Sequence, residues 1–233
     1  MTLFVLFVFG AADPTFCDEL PTSKAAASHG RPARGSVDGA VKLTESDAVR
    51  VLPRRHKERC LWWGTPRLIG ALERAGREVQ RAVKGSPALG VGNIGRAQGG
   101  SLAPYSHSHQ AGRDCDLAFY RLDEHGPVAA EDLEHFDASL KSPDGALHFD
   151  VARNWALVAA LLSDEHLDVK WLFVSDELKK ALLAHARKVK ADAKLIERAR
   201  EVLHQPSDAP PHDDHFHLRV RCTAAERADD CLD

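Results

Sequence analysis

Apolar positions recur along this chain with two different periods. After Pro66, the residues Leu68, Leu72, Ala75, Val79 and Val83 repeat at helical spacing, so one stripe of a helix faces a core and Pro66 fits its first turn. A second helix is predicted over 151–162. Ser175 reads as the N-cap of a third carrying Leu178, Leu182 and Val189, and a fourth carries Leu195, Ile196, Ala199 and Val202. Short apolar runs at 89–94, 115–120 and 169–174 read as strands. From His215 to Arg221 polar and apolar residues alternate, as in a half-buried strand. Gly95, Gly99, Gly100 and Pro104 break regular structure before a histidine-rich stretch, and Ser142-Pro143-Asp144-Gly145 has the chemistry of a turn. Helices and strands mixed without strict βαβ alternation predict an α+β fold.

Residues 17–58 are rich in Ala, Ser, Pro, Gly and charge and show neither period, so they read as a flexible arm. The apolar run Met1–Ala12 is too short to span a membrane and ends in small residues, so 1–16 reads as an export signal. The expected organisation is therefore a signal, an arm and one catalytic domain over 59–233. A formal net charge of −3 offers no basic excess for nucleic acid.

The five cysteines suit an oxidising compartment. Cys222 and Cys231 flank a short polar loop after the last strand and are the expected disulfide; Cys60 could bridge to Cys17. Cys115 is expected to be a buried structural thiol facing away from Asp114 and Asp116.

Two segments carry candidate chemistry. In Ser106-His107-Ser108-His109-Gln110-Ala111-Gly112-Arg113-Asp114-Cys115-Asp116, His109 precedes Asp116 by seven positions across a glycine-containing turn, which can fold both onto one metal. Zinc accepts imidazole nitrogen and carboxylate oxygen, and a catalytic site uses three such ligands with a fourth position open. In His212-Asp213-Asp214-His215-Phe216-His217, strand alternation points His215 and His217 to one face and Phe216 to the core. Each segment alone also fits a solvated polar patch; together they supply a third ligand and spare catalytic groups.

The blocks SHSHQAGRDCDLAFY and HDDHFHLRVRC resemble the signature blocks of penicillin-insensitive murein endopeptidases, within the wider zinc peptidase group that includes lysostaphin-type and D-Ala-D-Ala peptidases. The resemblance extends to WWGTPRLIGAL, RNWALVAALL and WLFVSDELKKALL. It implies a small antiparallel sheet core with flanking helices, one Zn2+ per chain held by His109, Asp116 and His217, and catalytic roles for His215 and His212. It also implies a periplasmic enzyme that hydrolyses D-alanyl to diaminopimelyl cross-links in peptidoglycan. A D,D-carboxypeptidase of the same zinc group and a silent wall-binding module are the alternatives.

Where the family places a further histidine three residues before the first ligand, this chain has Ser106, with His107 one place later. The base is expected to be His215. Asp214 is the competing base, although alternation would turn it away from His215, and either Asp213 or Asp214 could orient a histidine. Arg113, Arg96 and Gln98 are candidate substrate contacts.

Overall fold

A computed structural model describes residues 14–233 of the chain. The export-signal expectation falls largely on 1–13, outside the described residues. The fold is α+β. In chain order the strands are β1 (Ala27–Arg31), β2 (Arg34–Asp38), β3 (Val41–Lys42), β4 (Val49–Val51), β5 (Trp63–Gly64), β6 (Leu89–Val91) and β7 (Asp114–Ala118). Then come β8 (Arg121–Asp123), β9 (Gly126–Val128), β10 (His148–Phe149), β11 (Val169–Phe173), β12 (Leu203–His204) and β13 (His215–Val220). The helices are α1 (His56–Arg59), α2 (Pro66–Ala82), α3 (Val151–Ser163), α4 (Asp176–Lys188), α5 (Ala193–Val202) and α6 (Ala224–Ala228).

The main sheet has the order β12-β11-β13-β7-β6-β4. Its inner four strands are antiparallel, as expected, but each outer pair is parallel: β12 runs with β11 and β4 with β6. The predicted helices form on their apolar stripes. Thr65 and Pro66 open α2, which buries Leu68, Leu72, Ala75 and Val79 and packs on α3; Val83 falls just beyond its end. At Gly76, a Cβ would lie 2.2 Å from the Ala48 carbonyl oxygen, so α2 approaches the segment before β4 at a distance only glycine permits.

The arm predicted over 17–58 is built into the body instead. It holds β1 to β4, and Val37, Leu43, Ala48, Val49, Val51 and Leu52 are buried. Strands of two to five residues are too short to show a period, and their partners are distant: β4 pairs with β6, and the Ser28 amide donates to Glu226 Oε1. A Cys17–Cys60 disulfide ties down the start of this region, and Cys222–Cys231 closes the C-terminus as expected.

β13 turns Phe216, Leu218 and Val220 into the core, all fully buried. The Phe216 ring packs edge-on against Phe119 at 4.8 Å. His215, His217 and Arg219 therefore share the opposite face. No helix among the described residues is long and apolar enough to cross a membrane.

Candidate metal centre

Register builds the centre. β13 runs antiparallel to β7 with His217 opposite Asp116 and Arg219 opposite Asp114, and period-2 alternation puts Asp114 and Asp116 on the face shared by the histidines. His109 arrives from the preceding loop. Its backbone is left-handed (φ 66°), and a second left-handed residue, Gly112 (φ 65°), turns the chain back into β7. The strained His109 conformation is held by its own amide, which donates to Asp114 Oδ2 at 3.3 Å.

The three expected ligands converge. His109 Nδ1 lies 3.0 Å from the Ile94 carbonyl oxygen, which requires a proton on Nδ1 and turns Nε2 to within 3.1 Å of Asp116 Oδ1. Against burial, the carboxylates of Asp116 and Asp114 raise the ring's pKa, and Nε2 is the nitrogen whose lone pair a cation there would take in place of a proton. His217 is oriented from behind in the same way: Nε2 faces Asp114 Oδ2 at 3.2 Å, and Nδ1 faces Asp116 Oδ1 at 3.4 Å. Arg219 forks onto Asp114 with bonds of 3.0 and 2.8 Å. Burial alone would raise Asp114, but His217 and Arg219 hold its carboxyl well below the usual range. Asp116 is likewise held low, against burial, by His109 and His215.

Asp116 Oδ1 is buried and accepts no hydrogen bond, although imidazole nitrogens stand 3.1, 3.3 and 3.4 Å away. At metal–ligand distances of about 2.0–2.1 Å, the edge of a tetrahedron is roughly 3.3–3.4 Å. A carboxylate oxygen without a hydrogen bond, spaced by about that edge from two imidazole nitrogens that can give up a proton to a cation, is a donor set that fits one zinc-like ion. Donor atoms of His109, Asp116 and His217 all lie within 4.8 Å of one another, as do those of His212, His215 and His217.

His215 stands beside this triad with Nε2 3.3 Å from Asp116 Oδ1, and its Nδ1 meets Asp214 Oδ1 at 2.6 Å. The expectation that Asp214 points away from His215 is therefore corrected: β13 begins at His215, so Asp214 lies outside the strand and strand alternation does not govern it. Burial lowers the His215 pKa, but Asp116 and Asp214 outweigh it and push the ring up to about 10. A cation on Asp116 removes the larger of those raising influences. His212, half-buried, is pushed down to about 4 by burial and by the neighbouring His215 and His217, and its Nδ1 is buried without a partner. Asp213 instead holds the exposed His135 at 2.7 Å.

The three candidate substrate contacts are each engaged by other parts of the chain. Arg113 is 1% exposed and spent on Ser28 Oγ and the carbonyls of Val220 and Leu232. Arg96 pairs with Glu19, and Gln98 donates to the Leu20 carbonyl. The segment read as an arm occupies both. His107 is exposed, and Cys115 is a free, fully buried thiol whose pKa burial pushes well up.

Sequence reasoning missed the role of Asp114, which period 2 from Asp116 could have indicated. It also missed Phe173, whose ring lies 5.3 Å from His217 and 5.5 Å from His212, and which reaches them only through the pairing of β11 with β13. A cavity of about 620 Å³ between α2 and α3 contains none of these groups.

Comparison with curated proteins finds no match. A family profile, described as penicillin-insensitive murein endopeptidase, matches residues 28–232, which spans the sheet, both histidine-bearing segments and the supposed arm from β1 onward. With that match over nearly its whole length, the chain belongs to the penicillin-insensitive murein endopeptidase family.

Proposed function

We propose that the protein is an exported, zinc-dependent endopeptidase that hydrolyses D-alanyl to diaminopimelyl peptide cross-links in peptidoglycan, with one Zn2+ per chain on His109, Asp116 and His217. The observation that carries this reading is the orphaned Asp116 Oδ1, set among imidazole nitrogens at tetrahedral-edge distances. Two imidazoles and a carboxylate suit zinc better than magnesium or calcium, which favour all-oxygen shells. Bound there, zinc would supply a Lewis acid that acidifies water and polarises a scissile carbonyl.

The chain's own groups divide the remaining work. His215 keeps its Nδ1 proton on Asp214, so Nε2, facing the cluster, is the atom that takes a proton from the attacking water and returns it to the leaving amine. His212 stays neutral near pH 7 and offers a ring N–H toward the oxyanion that develops during attack. Asp114 and the Ile94 carbonyl hold the tautomers of His217 and His109.

The test is mass spectrometry of products after the metal-loaded protein is incubated with purified, cross-linked muropeptides. Loss of dimers with a matching gain of monomers is expected. Monomers shortened by one terminal D-alanine, with dimers intact, would mark a carboxypeptidase instead, and binding without any product would mark a silent wall-binding module.

A further inference from the structure

Only one oxygen of Asp116 faces the imidazoles. The other, Oδ2, lies 3.4 Å from the Asn93 side-chain amide nitrogen. Asn93 is 5% exposed and follows β6, and the backbone there is clamped to Asp116 on both sides: the Gly92 amide donates to the Asp116 carbonyl (2.8 Å), and the Asp116 amide donates to the Asn93 carbonyl (2.9 Å). The side chain is thereby delivered to the carboxylate by main-chain pairing.

The orientation of the Asn93 amide follows from its partners. Its Oδ1 lies 3.5 Å from Arg59 Nη1, which can only donate, and 3.2 Å from His56 Nδ1. The NH2 group is therefore the end turned to Asp116, and His56 carries its proton on Nδ1. His56, 4% exposed, reaches back with Nε2 to 3.5 Å from Asp132 Oδ1; Asp132 is also paired with Arg55 at 2.7 Å. Hydrogen bonds thus run from His56 to Asn93 and from Asn93 to Asp116, with Asp132 at the far edge of the His56 ring. Gly92 leaves these contacts room, since a Cβ there would lie 3.1 Å from Asp116 Cβ and 3.3 Å from His56 Cε1.

We propose that Asn93, oriented by His56, is a positioning residue for the metal centre: its amide occupies Asp116 Oδ2, so that Oδ1 alone is presented to the ion. The proposal rests on the metal reading above. Without the amide, the carboxylate can rotate about χ2 and offer either oxygen or both, and the ordered donor set is lost. A hydrogen bond to the oxygen that does not ligate is the kind of outer support whose removal weakens metal binding by about 10–100-fold.

The experiment measures zinc affinity of the folded full-length protein by chelator competition, together with the visible spectrum of the Co2+-substituted form. Asn93→Leu, similar in size but unable to donate, is expected to bind zinc about 10–100-fold more weakly and to shift the cobalt bands. His56→Leu should move both readouts in the same direction by less. His56→Asn, whose amide can donate from near the position of Nδ1, should recover most of the loss. The His56 pair keeps the test open should Asn93→Leu fold poorly. Leu variants that bind zinc with wild-type affinity and an unchanged cobalt spectrum, losing only thermal stability, would overturn the positioning role. A wild-type protein that binds no zinc would overturn the metal reading itself.

Discussion

Replacing Arg113 by methionine should destabilise the protein by about 3–5 kcal/mol and leave the substrate KM of the folded protein unchanged. Arg113 lies in the loop between two proposed ligands, where a cation could hold a peptide carboxylate, but the guanidinium is turned inward. It donates to Ser28 Oγ at 2.7 Å, to the Val220 carbonyl at 2.9 Å and to the Leu232 carbonyl at 3.0 Å, and lies 3.3 Å from Asp233 Oδ1. Hydrogen bonds from a charged donor contribute about 1.5–3 kcal/mol each, so three short ones give a gross effect of about 5–9 kcal/mol. Burying a guanidinium costs several kcal/mol, which methionine avoids, and the difference is the loss predicted. Urea unfolding of the metal-free protein measures it, with KM taken on cross-linked muropeptides. A loss below about 1 kcal/mol accompanied by a raised KM would refute the inward role and return Arg113 to the substrate.

In the proposed site, His217→Ala should lose both zinc and activity, whereas His215→Ala should keep the metal and lose about 10²–10⁴-fold in kcat, read by elemental analysis and steady-state kinetics. Asp214→Ala should cost less than His215→Ala, because it removes only the partner of Nδ1; a deeper loss with metal retained would make the carboxylate the base. Cys115 should resist alkylation in the native state and label at one thiol per chain in denaturant without reductant, since the other described cysteines are paired. Burial pushes the Asp164 carboxyl up, but Arg74, bonded at 2.7 and 3.0 Å, outweighs it and depresses its pKa. The stability this pair adds is present above the unfolded carboxylate value of about 3.9 and lost as pH falls through the lower folded value. Asp164→Asn should therefore melt below wild type at pH 7 and converge with it in acid.

How much was legible depended on how far apart the partners lie. The α2 stripe is a local pattern, because the apolar residues of a helix recur at a fixed spacing on one face, and it is legible to within a residue of its end. The strand β4 is three residues long and acquires its place only by pairing with β6, some forty positions later, so composition made its surroundings look like a tether. The same division runs through the site. His215 and His217 announce themselves by alternation around Phe216, whereas His56 and Asn93 share nothing in sequence and meet only because α1 and the end of β6 are folded against β7. Asp214 marks the boundary of the alternation rule: it lies one residue outside the strand, and there local geometry decides.

The dependence on register has a consequence for the chemistry. A one-residue slip of β13 against β7 would send both histidines into the core and Phe216 to the metal face. The histidines oppose that slip only through the cost of burying imidazoles among apolar side chains. The rest of the opposition is apolar packing on one face and an ion pair on the other. Phe216, Leu218 and Val220 are fully buried on one side, and on the other the Arg219–Asp114 fork closes only when Arg219 lies opposite Asp114. The fork also points Asp114 at His217 Nε2, so the contact that fixes the register is the contact that fixes the ligand's tautomer. Packing that places the strand and hydrogen bonding that prepares the nitrogen are joined at a single carboxylate, one that the position of Asp116 in the motif already implied by sharing its face.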